Sequence, residues 1–116
     1  MLQISPRTKV YVCLEPIDFR KGIQGVSGIV RAVLNEDPLS GHLFLFRNTR
    51  NNCLKALIHD GQGMWLCLKK LSCGTFRWWP QTPEEANSLN HAKLQVLLAN
   101  GNPQAANFQE DWRPVV

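Results

Sequence analysis

Eight side chains between residues 47 and 79 carry the most suggestive chemistry of this 116-residue chain. Six are cations: Arg47, Arg50, Lys55, Lys69, Lys70 and Arg77. Two are indoles, Trp65 and Trp79. Lys and Arg neutralise phosphates, and a flat indole stacks on an exposed base or carries a guanidinium over its face. Residues 42–80 set those six cations against a single acid, Asp60. The flanks show no such excess, so the formal net charge of +4 hides a concentrated basic middle. This composition points to nucleic acid. It is shared by any half-exposed sheet face that charges keep soluble, so both readings stand at the level of sequence.

Other chemistries find less support. The carboxylates do not converge into the set that a metal-dependent nuclease needs. His42, His59 and His91 have no nucleophile partner at a recognisable motif. Cys13, Cys53, Cys67 and Cys73 form no C-x-x-C pair and read as reduced thiols packing as small hydrophobes. A zinc site from Cys53, Cys67 and His59 is less favoured, because structural zinc ligands are tightly spaced. The expectation is a protein without catalytic residues, metal or cofactor. No apolar run is long enough to span a bilayer. The N-terminus lacks a signal-peptide core, which predicts a cytoplasmic protein with no membrane partner.

The basic residues need a scaffold, and the pattern predicts an α+β domain over residues 1–101 with an extension over 102–116. Four apolar runs, 42–47, 53–59, 64–70 and 75–79, are separated by asparagine- and glycine-rich turns. They read as a four-strand antiparallel meander, since the gaps are too short for parallel crossovers. Three-residue loops at 61–63 and 72–74 would place Asp60 opposite Met64. One face then collects Leu54, Ala56, Ile58, Met64, Leu66 and Leu68, and the other collects Lys55, Trp65, Lys69, Arg77 and Trp79. An even loop would scatter Lys55 and Lys69 among leucines, so the odd loops are preferred.

Before the meander, residues 9–14 form an N-terminal strand rich in β-branched types. Asp18 is expected to cap a helix running to about Asn35, with Phe19, Ile23, Val26, Val30 and Val33 as the stripe covering the sheet's core face. Gly22, Gly25 and Gly28 interrupt it at intervals of three. Close packing against a neighbour is the preferred explanation for their helix cost, ahead of a phosphate cradle near Arg20 and Lys21. After Pro80, a short C-terminal helix follows an Asn90 cap, with Leu89 as a staple and Gly101 as its end. The tail is expected to order on binding. The predicted sheet is therefore mostly antiparallel and covered on one face by the glycine-containing helix.

Several runs together resemble a known family. They are Asp18-Phe19-Arg20-Lys21-Gly22, Asp37-Pro38-Leu39-Ser40-Gly41-His42-Leu43-Phe44-Leu45-Phe46-Arg47-Asn48, Asp60-Gly61-Gln62-Gly63, Lys69-Lys70-Leu71, Gly74-Thr75-Phe76 and Leu94-Gln95-Val96-Leu97-Leu98. In this order they are similar to the TnpB accessory proteins of insertion sequences of the IS-sixty-six class. The chain departs from that pattern at His59, Lys70, Lys93 and the doubled Trp78-Trp79. The resemblance implies a bacterial protein needed for transposition beside a separate catalytic transposase. Its implied partners are that transposase and other proteins of the element; element DNA is the partner that the basic and aromatic residues add as a hypothesis. Two molecular roles follow: DNA binding through the basic, tryptophan-containing face, or docking on the transposase as an adaptor.

Overall fold

The computed structural model describes residues 7–103. It is an α+β fold with a four-stranded mixed sheet in the order β1-β2-β3-β4. Strand β1 spans Val10–Val12, β2 Leu43–Arg47, β3 Cys53–His59 and β4 Met64–Lys70. Strands β2, β3 and β4 form the antiparallel meander. Strand β1 pairs parallel with β2, Val10 beside Leu43 and Val12 beside Leu45. Parallel neighbours need a crossover, and helix α1, Ile23–Ala32, supplies it.

Both faces of the sheet are covered, not one. Val26 and Val30 of α1 pack with Phe44, Phe46 and Leu57 on the first face. On the second, Val12, Leu43, Leu45, Leu54, Ala56 and Ile58 meet Phe76, Trp79, Leu89, Leu94 and Leu97. This explains why Leu43-Phe44-Leu45-Phe46 is an unbroken apolar run with every member buried. The last two leucines belong to α3, His91–Leu98, which follows the single-turn α2, Pro83–Asn87.

The β3–β4 register differs from the sequence expectation by one residue. His59, not Asp60, lies opposite Met64, and Cys53 lies opposite Lys70. The turn is an even one: the Asp60 N–H donates to the Gly63 carbonyl at 3.0 Å. The Asp60 carboxylate accepts from the Gln62 and Gly63 amides at 2.9 and 3.0 Å. Lys55 and Lys69 therefore project to opposite faces, as do Cys53 and Cys67. Amphipathicity decides register only where one face meets water. With both faces covered, each accepts cations at its rim among leucines at its centre.

The fourth expected meander strand does not form. Residues 71–80 leave the edge of the sheet and cross its second face. There the Phe76 N–H donates to the Asn51 carbonyl at 2.8 Å. Buried Trp79 reaches back to β1, its indole N–H donating to the Cys13 carbonyl at 2.9 Å. Phe76 and Trp79 both anchor this crossing, with ring centroids 6.3 Å apart.

Helix α1 begins later than its capping pattern predicts. Its N-cap is Gly22 without a side-chain bond. Asp18 instead binds the Arg20 amide at 2.9 Å and its guanidinium at 2.8 Å. The expected close packing at the glycines is absent. Nothing lies within 4 Å of a Cβ built at Gly22 or Gly28, and at Gly25 only the flexible Lys21 side chain does. Helix α3 does follow its sequence signals. The Asn90 side chain accepts from the Lys93 amide at 2.9 Å, and Leu89 is buried before it. Its end is left-handed at Asn100 (φ 63°), one residue ahead of the expected Gly101. A Cβ at Gly101 would meet the Val96 side chain at 2.7 Å. The proposed extension over 102–116 falls almost wholly outside the described residues.

Candidate nucleic-acid interface

The eight basic and aromatic side chains do not share one face. Arg47 ends β2, and its guanidinium donates to the Leu14 carbonyl at 3.0 Å. It also stands 5.6 Å from the Trp79 ring centroid. Trp79 itself is 3% exposed, so Arg47 and Trp79 form an internal clamp across the end of β1. Lys55 is 8% exposed. Its ammonium donates to the Phe19 and Lys21 carbonyls, both at 2.8 Å, and lies 4.8 Å from the Phe19 ring centroid. A buried lysine must have such partners, because an unpaired ammonium is costly to desolvate. Lys55 thus ties residues 19–21 to the sheet, which accounts for the late start of α1.

Trp65 is 54% exposed but sits at the opposite end of β4 from the lysines. Its indole N–H donates to the Asp60 carboxylate at 2.7 Å. The Gln62 amide first, then the Gly63 amide and this indole, hold the Asp60 carboxyl down at about 2. Trp65 therefore closes the β3–β4 turn.

The remaining four cations lie at one end of the sheet, with Lys69 and Lys70 on opposite faces of β4. Arg50 in the β2–β3 loop, Lys69 and Lys70 at the end of β4, and Arg77 beyond it are all exposed around one end of the sheet. Lys69 donates to the Leu98 carbonyl at the end of α3. That placement puts a cation at the negative end of the helix.

The loops carrying these residues are locked. The Asn48 side-chain carbonyl accepts from the Asn52 and Cys53 amides, each at 3.0 Å, and its amide group donates to the Asn52 side chain at 2.7 Å. Asn51, left-handed at φ 57°, donates to the Phe76 carbonyl at 3.2 Å and accepts from the Phe76 amide. The Leu71 amide donates to the Asn52 carbonyl at 2.9 Å. The Arg77 amide is held by the Asn100 side chain at 2.8 Å. These bonds fix the backbone positions of Arg50 and Arg77 relative to each other.

Two further cations belong to this end that the sequence did not assign to it. Arg20 and Lys21 are exposed in the segment before α1. Arg20 lines a groove with Arg50, walled by Pro16, Ile17, Phe19 and Thr49. The Arg20 guanidinium pairs with Asp18 at 2.8 Å, and this contact foremost lowers the Asp18 carboxyl to about 2. In the sequence, Arg20 and Lys21 were weighed only for a phosphate cradle at the start of the glycine-containing helix, not as neighbours of Arg50 and Arg77. The fold brings them here through the Lys55 tie and the bond from the Ile17 amide to the Arg47 carbonyl at 2.9 Å.

Six exposed cations thus surround one end of the sheet, with Glu15 and Asp18 as the nearby acids. Among the described residues, no three metal-ligating side chains are placed to hold an ion. No described helix is long and apolar enough to cross a membrane.

A model of the family described as IS66 Orf2 like protein matches residues 8–107. The chain belongs to this family. Its sequence is 34% identical over 114 residues to the uncharacterized protein y4hO of Sinorhizobium fredii (strain NBRC 101917 / NGR234), covering 98% of this chain and 96% of that protein. It is also 34% identical over 99 residues to the uncharacterized protein y4jC of the same organism, covering 85% of this chain and 84% of that protein. No solved structure matches. The IS66 Orf2-like family is associated with insertion sequences in an accessory role and is not a known catalytic family. The matched span takes in every element of the fold, including the basic end of the sheet.

Proposed function

We propose that this IS66 Orf2-like chain is a non-catalytic accessory protein of transposition that binds element DNA through the basic end of its sheet. Arg20, Lys21, Arg50, Lys69, Lys70 and Arg77 contact phosphates. Arg47, Lys55 and Trp79 hold the surface in shape from beneath. The observation that carries this reading is the location of six exposed cations from four chain segments at one end of the sheet, two of them locked together through Asn51 and Phe76. Phosphate contacts position a protein on a duplex and release counterions, so binding falls steeply with salt. Six such contacts correspond to roughly a thousandfold loss of affinity between about 50 and 200 mM salt.

The test is binding of the purified chain to duplexes carrying the element's terminal repeat or a scrambled sequence, at two salt concentrations. Affinity that falls with salt and weakens in Arg50→Ala/Arg77→Ala supports the interface. Preference for the terminal repeat adds end recognition. No binding to either duplex at low salt overturns autonomous duplex binding. The adaptor reading then leads; exposed Trp65 and Leu68 favour it as apolar contacts for the transposase. Docking of that kind is far less sensitive to salt.

A further inference from the structure

Strand β4 is the edge of the sheet, and its outer backbone groups have no partner strand among the described residues. The ladder phase is set at both ends. The Asp60 amide binds the Gly63 carbonyl, and the Leu71 amide binds the Asn52 carbonyl. Antiparallel pairs alternate, so Trp65, Cys67 and Lys69 point their amides and carbonyls at β3. Met64, Leu66, Leu68 and Lys70 point theirs outward. A seven-residue free edge is a template for another strand, and only the two lysines at one end blunt it. Two exposed apolar side chains, Trp65 at 54% and Leu68 at 60%, lie on this same strand.

We infer that β4 pairs antiparallel with β4 of a second copy, joining two four-stranded sheets into one across a two-fold axis at Cys67. The sequence of the strand selects this partner. Only registers that place outward-facing residues opposite each other can bond, and one of these overlaps all seven residues. It sets Met64 against Lys70 of the second copy, Leu66 against Leu68 and Trp65 against Lys69. Leu68 is thereby covered by an apolar partner. Each Lys69 faces an indole whose N–H is bound to the Asp60 carboxylate, so a cation meets an aromatic ring with an anion behind it. The contact is isologous, and both favourable pairs occur twice. The like charges Lys69 and Lys70 of the two copies stand at opposite ends of the joint. Lys69 and Lys70 enter the joint from the basic end of each sheet, while Arg20, Lys21, Arg50 and Arg77 lie on segments outside it.

The native sequence contains its own probe. Cys67 lies opposite itself in a non-hydrogen-bonded pair, where Cα atoms are about 4.5 Å apart, a separation that a disulfide spans. Light scattering of the full chain at tens of micromolar should give twice the 13.2 kDa mass. In a Cys53→Ser/Cys73→Ser background, copper–phenanthroline oxidation should yield a cross-linked dimer that adding Cys67→Ser abolishes. Leu68→Pro removes an outward amide and no bond to β3, so it should leave a folded monomer with dissociation raised at least about tenfold. Leu68→Lys keeps the amide and gives the same result if proline unfolds the strand. A monomer at all concentrations overturns the inference. So does a dimer that survives both Leu68 variants without cross-linking through Cys67, which would place the joint elsewhere.

Discussion

Replacing Lys55 with methionine separates a structural lysine from a phosphate-binding one. The substitution keeps most of the stem that packs beside Phe19 and deletes the ammonium. Two charge-assisted hydrogen bonds, to the Phe19 and Lys21 carbonyls at 2.8 Å, are lost together. Bonds to charged groups contribute roughly 1.5–3 kcal/mol each, and relief of the buried charge offsets part of their loss. The expected net destabilisation is about 2–4 kcal/mol, a large share of the ~5–15 kcal/mol that holds a domain folded. Urea unfolding of Lys55→Met and wild type measures it as a shift in midpoint at constant slope. Salt titration of DNA binding by the folded variant supplies the second axis. A phosphate contact removed lowers the slope of log affinity against log salt by about 0.9. Lys55→Met should leave that slope unchanged, whereas Lys70→Ala should reduce it with little effect on stability. Native stability combined with a reduced slope in Lys55→Met would refute the assignment of this side chain to the scaffold.

Three further outcomes are expected. Gly28→Ala lies in the interior of α1 with nothing within 4 Å of the added Cβ, so it should stabilise by about 1 kcal/mol. This raises the melting temperature by roughly 4–8 °C; a lower value would reveal a contact made in an assembly. Trp79→Phe removes the indole N–H donated to the Cys13 carbonyl and part of the ring under Arg47. A loss of about 1–3 kcal/mol should follow in urea unfolding, and a change near zero counts against the clamp. Asp60 is held at about 2 in the folded chain against an ordinary 3.8, chiefly by the Gln62 amide. Because the folded value is depressed, its contribution is present above pH ~4 and fades as pH falls towards 2. Asp60→Asn should flatten that part of the acid-unfolding curve. Asp18 titrates in the same window, so the difference between variant and wild type is the quantity to read.

Part of this architecture is written in local patterns. The strands appear where β-branched and aromatic residues cluster between asparagine and glycine turns. The α3 helix starts at Asn90 because its side chain reaches the Lys93 amide three residues on, an interaction contained in the sequence itself. Local patterns also mislead where a longer-range partner competes. Asp18 has the right type and spacing to cap α1, but Arg20 engages its carboxylate. Lys55 meanwhile takes the Phe19 and Lys21 carbonyls from more than thirty residues away. Nothing near residue 18 announces that competition.

The same division governs the basic residues. The sequence alone determined that residues 42–80 carry an excess of cations, where the four strands β1 to β4 run though not that residues 75–79 form none, and that the turn at Asp60 reverses the chain. These rest on composition, backbone propensity and contacts within a few residues. Tertiary structure alone decided which cations face solvent. The choice hinged on the β3–β4 register, and its sequence cue disappears once both faces of the sheet are covered. Helix α1 on one face and residues 71–98 on the other turned Arg47, Lys55 and Trp79 into scaffold. They left Arg50, Lys69, Lys70 and Arg77 exposed beside Arg20 and Lys21, because only covering segments distant in sequence determine which polar atoms must find a partner inside the protein.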